Sequence, residues 1–189
     1  MNAYELAKAE IGTVEWVNDS NPKVVAYFRD AGQPGVTDDT TAWCAAFVGA
    51  MIKRAGGKPT GSLLARSYLT WGNPVDLKDA REGDIAVFSR GNSSWQGHVA
   101  FFVRENASTL TVLGGNQSDQ VKLSTYPKSS LLSIRRAAPS QEPPFRNNPP
   151  QEAPAAVPPP IPAQAPASRP TGFVGALAAI FAAFFRKGS

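Results

Sequence analysis

Apolar residues recur every three or four positions through the first third of the chain, and the pattern predicts short helices. Tyr4, Leu6, Ala7 and Ile11 fall on one helical face, and Gly12 stops it. Asn21 followed by Pro22 is a helix start; Val24, Val25, Tyr27 and Phe28 continue the pattern to a stop near Gly32. Thr40 or Thr41 is placed to cap a third helix over 42–52, with Lys53 and Arg54 suiting its carboxyl end and Gly56 or Gly57 ending it. Ser62 is placed to cap a fourth, to about Trp71. After Gly72 the period changes. Short apolar runs at 84–88, 98–103, 109–113, 121–123 and 132–135 read as strands, separated by Gly, Asn and Ser clusters. Short strands joined by short turns predict an antiparallel meander, and helices first with a sheet second predict an α+β domain.

Composition divides the 189 residues unevenly. Twelve of the 17 prolines lie between Pro139 and Pro170, so the folded domain is expected over 1–136 and a proline-rich linker over 137–170. As polyproline II, at roughly 3.1 Å per residue, that linker reaches on the order of 100 Å. Residues 172–185 then carry no charge and are followed by Arg186 and Lys187. As a helix they span about 21 Å, short of the ~30 Å hydrocarbon core. Phe173, Leu177, Ile180, Phe181, Phe184 and Phe185 keep helical spacing, so residues 172–187 are expected to contact a membrane surface rather than cross it. Docking back on the folded domain, or self-association, is the competing expectation.

Net charge is +4, with a sequence pI near 9.4. There is no Lys/Arg run and no basic stripe with interleaved aromatics, so nucleic acid is not an expected partner. Mild basicity favours anionic polymers and headgroups. A single cysteine excludes an intramolecular disulfide, and one cysteine with one histidine argues against a structural zinc site. No metal or cofactor is expected. The first twelve residues lack a basic region followed by an apolar stretch, so the chain is expected to start in the cytoplasm.

Against that background Cys44 and His98 stand out. Cys44 falls early in the third predicted helix, where free N–H groups and the positive dipole end favour a thiolate. A small buried core residue would look the same. His98 opens an apolar strand directly after Gly97, the position of a base on a sheet packed against the nucleophile helix. Such a pair needs a third group to orient the imidazole. Asn116, 18 residues on, is the first candidate, with Gln117 and Asp119 as rivals; Gly114-Gly115-Asn116 is equally good turn chemistry.

Four segments in order, Trp43 to Val48, Gly83 to Phe88, Gly97 to Phe101 and Leu113 to Asp119, resemble the CHAP (cysteine, histidine-dependent amidohydrolase/peptidase) and NlpC-type cell-wall hydrolases. The likeness covers about residues 3–136 and leans toward a branch common in phages and prophages of Gram-negative bacteria; Ala65 to Gly72 also looks like that branch. The resemblance implies a papain-like α+β fold and hydrolysis of peptidoglycan amide bonds by an endolysin-like enzyme. It implies Cys44 as nucleophile, His98 as base and Asn116 as orienting group, with Asp39, Trp43, Ser67, Trp71, Gly97 and Gln117 flanking the substrate cleft. The catalytic domain is then expected to be a monomer acting in the periplasm or wall, by amidase or endopeptidase cleavage. An acyl transferase or antibacterial toxin on the same fold, and a non-catalytic wall-binding virion component, are the alternatives.

Overall fold

A computed structural model describes residues 1–138. Three helices come first: α1 (Ala3–Ala9), α2 (Pro22–Asp30) and α3 (Cys44–Arg54). Local chemistry sets the first two. Asn2 accepts the Glu5 N–H at 2.8 Å, and Asn21 accepts the Lys23 N–H at 2.9 Å with Pro22 at the first helical position. A left-handed glycine follows each helix, at Gly12, Gly32 and Gly56. Nine residues of α3, Cys44 to Ile52, are buried, so this helix is the centre of the core rather than its cover.

Two helical expectations change. The third helix starts at Cys44, not at residue 42, because Thr40 and Thr41 are engaged with Asp38 instead of the helix. The Thr40 hydroxyl donates to Asp38 Oδ1 at 2.6 Å and the Thr41 N–H at 3.2 Å. Trp43 takes the cap position with no side-chain cap bond. The fourth helix is a 3-10 segment, Ala65–Thr70, confined between Gly61 and Gly72, both at positive φ. Ser62 accepts the Leu64 N–H at 3.2 Å, closing a turn rather than capping a helix.

The remaining chain forms β1 (Asn73–Val75), β2 (Ile85–Ser89), β3 (Gly97–Glu105), β4 (Thr109–Gly114), β5 (Lys122–Pro127) and β6 (Leu131–Arg136). These make one antiparallel sheet in the order β1-β6-β2-β3-β4-β5. The α+β expectation holds. The meander is correct only from β2 to β5; β6 returns past three strands to pair with β2 and β1. The edge strand β1 was not anticipated, since Pro74 interrupts its pattern, and an edge is where proline is tolerated.

Alternation along β2, β3 and β4 divides the core. Ile85, Val87, Val99, Phe101 and Leu113 join α1, α2 and α3 in one cluster, while Ala86, Phe88, Ala100, Phe102, Leu110, Val112 and Ile134 form another. The sheet curls strongly: Tyr126 of β5 stacks on Phe88 of β2 at 4.8 Å and on His98 of β3 at 4.9 Å. Among the described residues no helix is long and apolar enough to cross a membrane. Except for Ala137 and Ala138, the expected linker (137–170) and apolar helix (171–189) lie outside the described residues.

Candidate active site

Cys44 is the first residue of α3, and the helix start leaves its N–H groups free of any capping side chain. The thiol is 8% exposed. Backbone N–H groups of Cys44, Ala45 and Val99 all favour its ionised form. Val99 directly follows His98, so the sulfur sits against the opening of β3. Burial is nevertheless the larger effect, and it pushes the thiol pKa up. The helix start therefore does not by itself yield a resting thiolate, as position in sequence had suggested, because desolvation outweighs the amide donors.

His98 pairs across the sheet with Phe88, and its ring lies on Tyr126 at an interplanar angle of 17°. Gln117 Oε1 is 3.3 Å from His98 Nε2. The Gln117 amide nitrogen donates to the carbonyls of Gly114, at 3.1 Å, and Lys122. Both donors are thus used, which leaves Oε1 facing the ring and puts the imidazole proton on Nε2. Nδ1 then keeps its lone pair. Burial lowers the His98 pKa to about 4, helped by the charge of Arg90 and opposed by the Gln117 bond. Both shifts favour the neutral forms, thiol and imidazole.

The structure brings Gln117, not Asn116, to His98. Asn116 has φ 54°, and its half-buried side chain forms no hydrogen bond with a described residue. Ser118 and Asp119 are also left-handed, and the Glu15 N–H donates to the Asp119 carbonyl at 2.8 Å. This tight turn sends successive side chains in different directions. Gly114 leaves room for Gln117, since a Cβ there would lie 3.2 Å from Gln117 Cδ.

Of the other expected cleft residues, three are buried and committed to structural bonds. Asp39 Oδ2 accepts the N–H groups of Trp16 at 3.1 Å and Asn21 at 2.8 Å. Trp43 Nε1 donates to Glu15 at 2.5 Å, and Trp71 Nε1 donates to the Lys58 carbonyl at 2.9 Å. Ser67 Oγ lies 2.9 Å from Thr60 Oγ1. Gly97 pairs with Ser89, and a Cβ there would meet the Phe88 carbonyl at 2.7 Å, so the strand opening requires glycine. Sequence reasoning missed Tyr126 and Arg90. The alternation of β5 marks Tyr126 as facing one side, but only the curl of the sheet brings it to His98. Among the described residues no group of three or more His, Cys, Asp or Glu is placed to hold a metal ion.

A buried cysteine at a helix start lies against the opening of β3, whose second residue is His98, the two residue types that a thiol hydrolase uses as nucleophile and base. Residues 36–116, fewer than half of the chain, match the family model of the CHAP domain, which supports the resemblance to that family. The match includes Cys44, His98 and Asn116 and stops one residue before Gln117. CHAP domains are generally cysteine amidase/peptidase domains, and the match suggests amidase-type activity on peptidoglycan. No curated protein matches the chain.

Proposed function

We propose that the protein cleaves an amide bond of the cell-wall peptide by two-step acyl transfer, with Cys44 as nucleophile and His98 as general base. The observation that carries this reading is the Gln117–His98 bond, set one residue before the Val99 N–H that faces the Cys44 sulfur. With Gln117 Oε1 accepting from His98 Nε2, we assign Nδ1 as the atom that accepts the Cys44 thiol proton. We assign Gln117 the orienting role that sequence had given first to Asn116. Since both partners rest neutral, proton transfer accompanies attack. His98 takes the thiol proton as Sγ bonds to the amide carbonyl carbon. The N–H groups at the uncapped start of α3 are the donors available to the resulting oxyanion. Protonated His98 gives its proton to the departing amine, the C–N bond breaks, and a thioester remains. Water, deprotonated by His98, then releases the acid and restores the thiol.

The helix-plus-curled-sheet arrangement supports the papain-like assignment, and an endolysin-like role in the periplasm or wall is the setting we propose. Residues 172–187, with their apolar face and terminal Arg186 and Lys187, are the proposed membrane contact. The test of the activity is digestion of purified peptidoglycan by the full chain, with mass spectrometry of the soluble fragments. New amine and carboxyl ends are expected. Intact sugar–peptide junctions with cut stems identify an endopeptidase, and bare glycan identifies an amidase. Release of sugar fragments with every amide intact would overturn the proposal.

A further inference from the structure

Arg90 stands at this site with nothing to hold. It follows Ser89, the last residue of β2, whose cross-strand partner is Gly97; the preceding rung is Phe88 opposite His98. Side chains alternate along a strand, so Arg90, two residues beyond Phe88, leaves the sheet on the face that Phe88 and His98 share. It is exposed and forms no hydrogen bond or ion pair with any described residue. Arg66, the other arginine tied to this hairpin, is held by it: it donates to the carbonyls of Gln96 and Ser93, each at 2.7 Å. The charge of Arg90 is felt at Cys44, His98 and Tyr126 alike. An unpaired cation there makes His98 a weaker base. An anion that arrives with the substrate removes that penalty in the complex, when the base is needed.

We propose that Arg90 is a specificity residue that receives a free carboxylate of the peptide substrate, within a residue or two of the amide that Cys44 attacks. This rests on the hydrolase reading above. A planar guanidinium with a fork of donors matches a carboxylate in two parallel bonds, whereas a carboxamide offers one acceptor and no charge. The substrate class is thus an acidic peptide stem rather than its amidated form.

The experiment compares two stem peptides that differ only in whether the carboxylate beside the scissile amide is free or amidated. Each is cut by the full chain and by Arg90→Gln and Arg90→Lys. The wild type is expected to prefer the free carboxylate by roughly tenfold to hundredfold in kcat/KM, mostly through KM. Arg90→Gln should bring the carboxylate peptide down to the level of the amidated one, and Arg90→Lys should restore part of the preference. Equal loss of kcat on both peptides with Arg90→Gln overturns the proposal, since Arg90 would then act on the reacting thiol or oxyanion. No preference in an active wild type overturns it too, leaving the hydrolase reading intact. If the wild type cuts neither peptide faster than Cys44→Ala does, the hydrolase reading itself has failed.

Discussion

Replacing Gly115 by alanine tests the geometry that puts Gln117 under His98. A Cβ on residue 115 would lie 2.4 Å from Trp43 Cζ3, 2.6 Å from Trp43 Cε3 and 2.7 Å from Phe47 Cβ. Relief depends on whether these atoms can retreat. Trp43 is fully buried, lies 5.9 Å from the Tyr27 ring and 6.4 Å from the Phe47 ring, and is held at Nε1 by Glu15. The Phe47 Cβ is fixed to α3. The loop must move instead, and it carries Gln117 with it. Overpacking of one methyl typically costs about 1–3 kcal/mol, and three contacts under 3.0 Å against immobile groups place this substitution near 3 kcal/mol. For a domain of this size that lowers Tm by roughly 10 °C. Gly35→Ala is the control, because a Cβ there meets nothing within 4 Å and its φ is not positive. Thermal unfolding and peptidoglycan hydrolysis are measured together below both transitions. Gly115→Ala should lose stability and also most activity at temperatures where it remains folded, while Gly35→Ala keeps both. A Gly115→Ala protein with wild-type Tm and rate would refute the placement of the loop against Trp43.

Further outcomes follow from the same site. Gln117→Leu should lower kcat by about 10- to 100-fold through loss of tautomer control, and Asn116→Ala by less than about threefold; the reverse ranking restores Asn116 as orienting group. Because the His98 pKa is lowered to about 4, its base form persists well below pH 6.5. The acid limb of kcat/KM should therefore fall near pH 4, and a limb near 6.5 contradicts a ring held neutral by desolvation. The same lowered pKa makes stability complete above the unfolded value near 6.5 and lost as pH falls toward 4. His98→Gln should flatten that part of the stability profile. Burial raises the Cys44 pKa, so alkylation by iodoacetamide should still be accelerating at pH 9; a rate already level by pH 7 indicates an ion pair. Asp39→Ala should cost about 1–3 kcal/mol of stability by releasing the buried Asn21 N–H and the part-buried Trp16 N–H, with KM little changed among molecules that remain folded.

What sequence made legible was whatever depended on local chemistry. Asn21-Pro22 starts a helix wherever the following residues are amphipathic, and α2 begins there. The runs around Val87, Val99 and Val112 are buried strands because their apolar content and turn-bounded length permit little else. The start of α3 was misread because Thr40 and Thr41 had a nearer acceptor in Asp38, and side-chain competition of that kind leaves no periodic trace. The third group of the site was legible only to within a loop. Three left-handed residues at 116, 118 and 119 decide which side chain turns toward His98, and neither spacing nor type reveals that. Tyr126 and Arg90 depend on strand register and sheet curl, which are set by contacts between segments far apart in the chain.

The most direct test compares the full-length wild type with Cys44→Ala and His98→Ala on purified peptidoglycan, following new amine ends over time by mass spectrometry. The account predicts steady amide cleavage by the wild type and none above background by either variant, with all three folded by circular dichroism. Cleavage of the same bonds by folded Cys44→Ala at a rate near the wild type's would contradict it.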